Sequence, residues 1–261
     1  MDKKFLEDCL KKGMSTRDIE LICEKDHRTI SYWIQKYELS NLSKYKKNEP
    51  FVFDKIDSPE KAYILGFILA DGAINHSIVE ITTTIQDKYV VEFIAKYLNS
   101  NVRIDMTFNK KKRRFPRART SKKINDISKY VGGAKKEDRH YPRIRDDLER
   151  YLILGFFDAD GCITYGRRKD KNRLWQKISF TSQLKILEGV QQYLLKKVGI
   201  STIIRQKSDE KCYVLEFSNR LDVLKFCEHI YADEQFIVLR RKYLKYKALR
   251  LELEENGEIA V

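Results

Sequence analysis

No stretch of the sequence strings together the roughly 20 unbroken apolar residues that a membrane span needs. Met1 to Lys12 is too charged to act as a secretion signal. The chain therefore reads as soluble and intracellular, with no membrane partner. Cysteine is scarce and scattered: Cys9, Cys23, Cys162, Cys212 and Cys227 are odd in number and form no C-x-x-C pair. That argues against both a zinc site and a disulfide framework. With only four histidines, a catalytic metal is expected on carboxylates, and nothing suggests a small-molecule cofactor. Negative charge is also in short supply. Against 52 Lys and Arg stand 38 Asp and Glu, a formal net charge of +14. Such an excess points to nucleic acid or an anionic membrane surface as partner. Residues 1–50 carry 11 basic and 9 acidic side chains, so +12 of the +14 lies in the other 211 residues.

Residues 3–40 read as three short helices. Phe5, Leu6 and Leu10 mark the first. Ser15 or Thr16 can cap a second, with Ile19, Ile22 and Cys23 as its apolar face. A third begins at His27 to Thr29, with Ile30, Trp33, Ile34 and Tyr37 inward and Arg28, Ser31, Tyr32, Gln35 and Lys36 outward. Two helices joined by the short polar link Glu24 to His27 suit a helix-turn-helix, with Arg28, Ser31, Tyr32 and Gln35 as its DNA-facing residues. An ordinary three-helix bundle would show the same pattern; the charge of the rest of the chain favours the DNA-binding reading.

Beyond a Lys- and Asn-bearing linker the chain repeats itself. Ala62 through Ile74 aligns with Tyr151 through Ile163. Gly66 falls on Gly155, Ala70 on Ala159, Asp71 on Asp160 and Gly72 on Gly161, all 89 residues apart. Val79 to Gln86 then aligns with Gln176 to Gln183, both alternating as half-buried strands do. Glu80, Thr82, Thr84 and Gln86 face outward in one copy, Lys177, Ser179, Thr181 and Gln183 in the other. An amphipathic helix follows in each, from Lys88 to Leu98 and from Lys185 to Val198. Further strands follow at about 101–109 and 115–121, then at 201–207 and 212–218. The fold class is α+β with two similar halves, each carrying an antiparallel sheet. The expected boundaries are 1–45 for the helix-turn-helix, 46–57 for the linker, 58–146 and 147–255 for the two halves, and 256–261 for a tail.

Each motif is an apolar helix that ends in Asp-Gly. Small residues four apart, Gly66 with Ala70 and Gly155 with Ala159, let two helix backbones pack closely, so Gly66 and Gly155 are expected at a pseudo-twofold interface. Gly72 and Gly161 suit the left-handed conformation that ends many helices. Asp71 and Asp160 then sit at the negative end of a helix dipole, where a carboxylate is disfavoured by ~0.3–1 kcal/mol, and close to each other, a second repulsion. A divalent cation offsets both, and oxygen-only ligation points to Mg²⁺.

On these residues the chain resembles the LAGLIDADG homing endonucleases of the two-motif, single-chain type, over roughly residues 58–250. The first motif departs from the family pattern at its sixth position, where Leu69 replaces the usual acid that Asp158 keeps in the second. The resemblance implies two pseudo-symmetric αββαββα halves packed through their motif helices, each sheet binding DNA. It implies a monomeric, Mg²⁺-dependent enzyme, with Mn²⁺ able to substitute, that hydrolyses one phosphodiester in each strand of double-stranded DNA. Asp71 and Asp160 would hold the metal, helped by the carbonyls of Ala70 and Ala159. Gln86 and Gln183 would position water, and Lys135 or Lys136, together with Lys242, would supply positive charge, although surface lysines are often merely solvated.

Sequence recognition would fall to two basic runs and the outward strand faces. One run includes Arg113, Arg114, Arg117 and Arg119, the other Arg167, Arg168, Lys169, Lys171 and Arg173. A charge run is ordinarily a solvated loop, but two on equivalent sheet hairpins are better explained by a DNA groove. Lys177, Ser179, Thr181, Arg205 and Lys207 complete this set. A catalytically silent regulator and an RNA-splicing maturase are the competing readings. The expected setting is the cytoplasm or nucleoid of a bacterial or phage-infected cell, or an organelle. The lack of protein-splicing residues around the motifs favours a free-standing gene.

Overall fold

The computed structural model describes residues 1–12, 14, 16–23, 25–42, 51–52, 55–108, 114–167, 174–207, 212–233 and 235–257. The chain divides into two compact units, Met1–Glu49 and Pro50–Val261.

The first unit holds α1 (Lys3–Lys11), α2 (Thr16–Cys23) and α3 (His27–Lys36), followed by a 3-10 turn at Leu39–Asn41. Asp2 and Asp26 cap α1 and α3, their carboxylates accepting from the Lys4 and Arg28 amides at 2.9 and 2.8 Å. Leu6, Cys9, Leu10, Ile19, Ile30, Ile34 and Leu39 form its small core. Ile22 was expected inside but is 56% exposed. Helix α2 spans barely two turns, and Ile19 and Cys23, four residues apart, share the inward face, which turns Ile22 away. Ser15, one of the two expected caps, lies outside the described residues.

The second unit begins with a two-residue strand, β1 (Phe51–Val52), within the segment read as a linker. Next come α4 (Pro59–Asp71), β2 (Ala73–Asn75), β3 (Ile78–Thr84), α5 (Lys88–Tyr97), β4 (Val102–Phe108), β5 (Arg114–Asn125) and the short α6 (Ile127–Val131). The second half follows with α7 (Glu149–Asp160), β6 (Gly161–Arg167), β7 (Leu174–Ser182), α8 (Leu184–Tyr193), β8 (Ile203–Gln206), β9 (Tyr213–Phe217), α9 (Arg220–Ile230) and α10 (Arg240–Glu255). The first sheet runs β2-β3-β5-β4 with β1 parallel on the end of β5; the second runs β6-β7-β9-β8. These are the two antiparallel α+β halves the repeat predicts. The inward parity also holds: Val79 and Ile81 are buried on β3, Ile178 and Phe180 on β7.

Helix α4 is well specified at its start. Ser58 accepts from the Lys61 amide, Pro59 takes the first turn and Glu60 faces the helix dipole. From Ala62 to Ala70 every residue is buried, as befits a helix that is apolar all round. Its partner is α7. A Cβ added at Gly66 would stand 2.0 Å from the Leu152 carbonyl oxygen, and one at Gly155 would stand 2.0 Å from that of Tyr63. Tyr63 and Leu152 are themselves 89 residues apart, so the two contacts are images of each other under a pseudo-twofold axis. One continuous core extends across both halves around this helix pair.

Two expectations need correction here. Gly72 and Gly161 are not left-handed; they are extended, at φ −65°, ψ 127° and φ −71°, ψ 158°. The chain leaves each motif helix almost directly into a strand, so no left-handed reversal occurs. Glycine is needed for space instead, since a Cβ would lie 2.6 Å from the Ile68 carbonyl oxygen in one copy and 2.6 Å from that of Phe157 in the other. Nor do the basic runs occupy equivalent hairpins. Residues 109–113 join β4 to β5, the second hairpin of their half, whereas 168–173 join β6 to β7, the first of theirs. The true counterpart of the latter, between β2 and β3, is a tight turn in which His76 and Ser77 take φ of 44° and 67°, leaving no room for a basic loop.

Candidate metal and nucleic-acid site

The motif helices end side by side, and their last residues are the two aspartates. The Asp160 carboxyl lies beside that of Asp71, near enough to feel its charge. Burial, then the neighbouring Asp71 charge, pushes Asp160 up to about 6, against the pull of Lys136 and Lys242. Two carboxylates side by side at two helix C-termini, with the carbonyls of Ala70 and Ala159 one residue back, form an all-oxygen donor set. Repulsion between the carboxylates is what a divalent cation would relieve, so the residues present fit Mg²⁺. A cleft of about 420 Å³ opens beside Asp71, lined by Phe67, Thr82, Thr83, Thr84, Asp87, Arg117, Ala159 and Arg241 among others. Asp87, almost buried, accepts from Arg241 at 3.1 Å and from Thr84 at 3.2 Å.

The cations predicted near the aspartates separate in the structure. Lys136 is exposed on a 3-10 turn, Lys136–Asp138, where its charge acts on Asp160. Lys135, its alternative, precedes that turn and is also exposed. Lys242 is buried, at 3% exposure. Its ammonium donates to the carbonyls of Phe157, Asp158 (2.9 Å) and Gly161. Burial pulls its pKa down, with Asp158 opposing. Sequence reading missed the residue that mirrors it. Arg139, 1% exposed, donates to the carbonyls of Ile68 (3.0 Å), Leu69 (3.2 Å) and Gly72 (2.7 Å), and to that of Ala134. Arg139 comes 68 residues after its motif aspartate and Lys242 comes 82 after its own, so the repeat alignment does not pair them.

Asp158, the sixth-position acid, is fully buried. One carboxylate oxygen accepts from the Tyr63 hydroxyl at 3.0 Å and the Leu239 amide at 2.8 Å. Burial raises its pKa, against the pull of Lys242 and these two donors. Its counterpart Leu69 is a plain core residue. Gln86 is exposed in the turn Ile85–Asp87, and Gln183 is half-buried at the start of α8. Both thus stand where a strand gives way to a helix.

On the outer face of the first sheet, Arg119 is forked between Glu80 at 3.2 Å and Asp105 at 2.8 Å. On the second, Lys177 pairs with Glu216 at 3.1 Å, and Arg167 with Glu252 at 2.6 Å. Exposed pairs like these are worth ~0–1 kcal/mol, so a polyanion could exchange them at little cost. Arg117 lines the cleft, Ser179 and Thr181 are half-buried on β7, and Arg205 and Lys207 are exposed. Arg113, Arg168, Lys169, Lys171 and Arg173 lie outside the described residues, and of Arg114 only the backbone, at the start of β5, is described. In the first unit Arg28, Ser31, Tyr32 and Gln35 are all exposed on α3. Ser31 bonds back to the His27 carbonyl at 2.8 Å, and Lys36 stacks over the Trp33 ring. Among the described residues no helix is long and apolar enough to cross a membrane.

Residues 147–231 match the family model described as LAGLIDADG-like domain. No curated protein matches the chain. Several solved structures share its fold. The meganuclease I-SmaMI bound to uncleaveable DNA is 10% identical, with a TM-score of 0.55, over 82% of this chain and 94% of that one. I-SmaMI bound to uncleaved DNA in the presence of calcium ions is 11% identical, with a TM-score of 0.52, over 77% and 93%. The LAGLIDADG homing endonuclease I-GzeII in complex with its DNA target is 10% identical, with a TM-score of 0.51, over 78% and 93%. The second unit therefore shares its two-half fold with LAGLIDADG meganucleases, and residues 147–231 match a LAGLIDADG-like domain.

Proposed function

We propose that this protein is a single-chain, site-specific DNA endonuclease that makes Mg²⁺-dependent double-strand breaks. The observation that carries the reading is the pairing of Asp71 and Asp160 at the ends of two glycine-packed helices. Acids are not placed side by side at paired helix C-termini for stability. The shared fold with meganucleases bound to DNA, one of them with calcium ions present, and the positive charge of the second unit support it.

Asp71 and Asp160, with the carbonyls of Ala70 and Ala159, would hold the metal. When bound, Mg²⁺ supplies charge neutralisation at the phosphate and a lowered pKa for water. Gln86 and Gln183 orient water on either side of the pair, and the Lys136 charge moderates the carboxylates. The outer sheet faces, through Arg117, Arg119, Lys177, Ser179, Thr181, Arg205 and Lys207, hold phosphates and read base edges in the major groove. The basic runs carrying Arg113, Arg114, Arg167 and Arg168 extend that surface. The three-helix unit is a helix-turn-helix reader that presents Arg28, Ser31, Tyr32 and Gln35. It adds affinity through tethering rather than chemistry.

The test is selection of cleaved sites from a random duplex library in Mg²⁺, followed by Asp71→Asn and Asp160→Asn on the selected site. Both variants should bind the site in Ca²⁺ and fail to linearise it. Binding without cleavage by the unaltered protein in Mg²⁺ and in Mn²⁺ would mark it as a regulator, and cleavage or splicing confined to RNA would mark it as a maturase.

A further inference from the structure

Arg139 and Lys242 are the two buried cations at the ends of the motif helices, and they take the same three carbonyls. Arg139 binds those of Ile68, Leu69 and Gly72. Lys242 binds those of Phe157, Asp158 and Gly161. Each pair is 89 residues apart, the spacing of the motifs themselves. The residues differ in type, come from different elements and lie at different distances along the chain, yet they converge on one pattern. A helix C-terminus leaves its last carbonyls without intrahelical partners, and a cation there also offsets the dipole. Solvent would serve both needs at a surface. Here a guanidinium and an ammonium have been buried to do it, which is costly unless their hydrogen bonds are filled. In each copy the carbonyls that the cation leaves alone include the one that precedes the aspartate, Ala70 in the first half and Ala159 in the second.

We infer that Arg139 and Lys242 are positioning residues, one per half, that clamp the carbonyl end of each motif helix so that Ala70 and Asp71, and Ala159 and Asp160, present their oxygens to one cation. This rests on the nuclease reading for the identity of that cation. It changes the expected part of Lys242, whose ammonium holds carbonyls of its own chain rather than a phosphate. It also gives the first half a counterpart that no lysine supplies.

The experiment uses the full chain. Arg139→Gln and Lys242→Gln remove the clamps; Arg139→Lys and Lys242→Arg exchange them. Mn²⁺ affinity is read by calorimetry, DNA affinity in Ca²⁺ by gel shift, and exchange of the Gly72 and Gly161 amides by NMR. Both amides donate to clamped carbonyls, those of Ile68 and Phe157. Each Gln variant should lose about 10- to 100-fold in Mn²⁺ affinity, as outer-shell partners of metal ligands do. Amide exchange should quicken at the glycine of the altered half alone, with DNA affinity unchanged. Arg139→Lys should keep Mn²⁺ affinity within a few-fold, since a lysine already performs the task in the other half. Folded Gln variants with unchanged Mn²⁺ affinity and unchanged exchange would overturn the inference. If the Gln variants do not fold, Arg139→Lys decides, and loss of Mn²⁺ binding in that variant overturns it. If the unaltered protein neither binds Mn²⁺ nor cuts DNA, the nuclease reading falls, and the exchange rates alone still report whether the clamps exist.

Discussion

Replacing Asp160 by Asn should stabilise the metal-free protein while removing its metal site. Unfolded, an aspartate ionises through its ordinary value of 3.8; in the fold Asp160 does so through about 6. The native state therefore holds the extra proton between those values. Its contribution is whole below about pH 4 and is lost as pH rises through about 6. The difference is worth roughly 3 kcal/mol at 1.36 kcal/mol per pH unit, an upper figure, since the side chain retains some contact with water. Asn cannot ionise, so it escapes that loss. In EDTA, the variant and the unaltered protein should melt together near pH 4 and diverge from there to about pH 6, above which the gap stays constant. At ~2–4 °C per kcal/mol for a unit of this size, the variant should lead at pH 7.5, by up to ~6–12 °C. Added Mg²⁺ should then raise the melting temperature of the unaltered protein and leave the variant where it was. Identical melting curves at pH 7.5 in EDTA would refute the reasoning, because they would mean that neither burial nor the Asp71 charge weighs on the Asp160 carboxylate.

Gly155→Ala should destabilise the second unit by at least ~1–3 kcal/mol, the range for overpacking, because its Cβ would stand 2.0 Å from the Tyr63 carbonyl oxygen; an unchanged urea midpoint would place that glycine elsewhere. Asp158→Ala leaves the Tyr63 hydroxyl and Leu239 amide without their acceptor, at ~1–3 kcal/mol each, whereas Asp158→Asn keeps an acceptor oxygen and should lose far less. Equal losses in these two variants would show that the hydrogen bonds contribute nothing. Removing residues 1–49 should weaken DNA binding and shorten the footprint on one flank without moving the cuts, and a full-length footprint from the truncated protein would show that the three-helix unit is not a reader.

The duplicated helices were legible because a helix that is apolar all round and ends in Asp-Gly is rare, and its recurrence at 89 residues is rarer. Strand parity was legible for a similar reason: alternation in Val79 to Gln86 and Gln176 to Gln183 survives without knowledge of partners. Much of what surrounds the aspartates was not. Arg139 sits in Asp138-Arg139-His140, with no periodicity around it, and is buried only because the chain folds back beneath α4. The glycine conformations were misread because Asp-Gly at a helix end has two uses, a left-handed cap or a space for close approach, and only the neighbouring Ile68 and Phe157 carbonyls decide between them. The placing of the basic runs failed because hairpin length, unlike parity, leaves no imprint on the flanking strands.

The one place where the motifs disagree, Leu69 against Asp158, follows from how each half delivers its clamp. In the first half the chain reaches Arg139 by a local route. A short turn at Lys136–Asp138 folds back so that Gly132 bridges Arg139 and the His140 amide donates to the Val131 carbonyl at 3.1 Å. That turn supplies its own hydrogen bonds, and Leu69 beneath it needs only to fill space. In the second half the cation arrives at the start of a long helix, after a strap, residues 235–239, without regular structure. Only its start turns on itself, the Phe236 amide donating to the Asp233 carbonyl at 3.2 Å; the rest is fastened from outside. Asp158 takes its Leu239 amide, the Tyr89 hydroxyl donates to its Val238 carbonyl at 3.1 Å, and Tyr151 donates to Asp233 at 3.0 Å. Phe236 packs against Tyr63, Phe93 and Tyr151. An acid at the sixth position is thus the anchor of a strap, and the half whose clamp comes on a self-closed turn has no use for one.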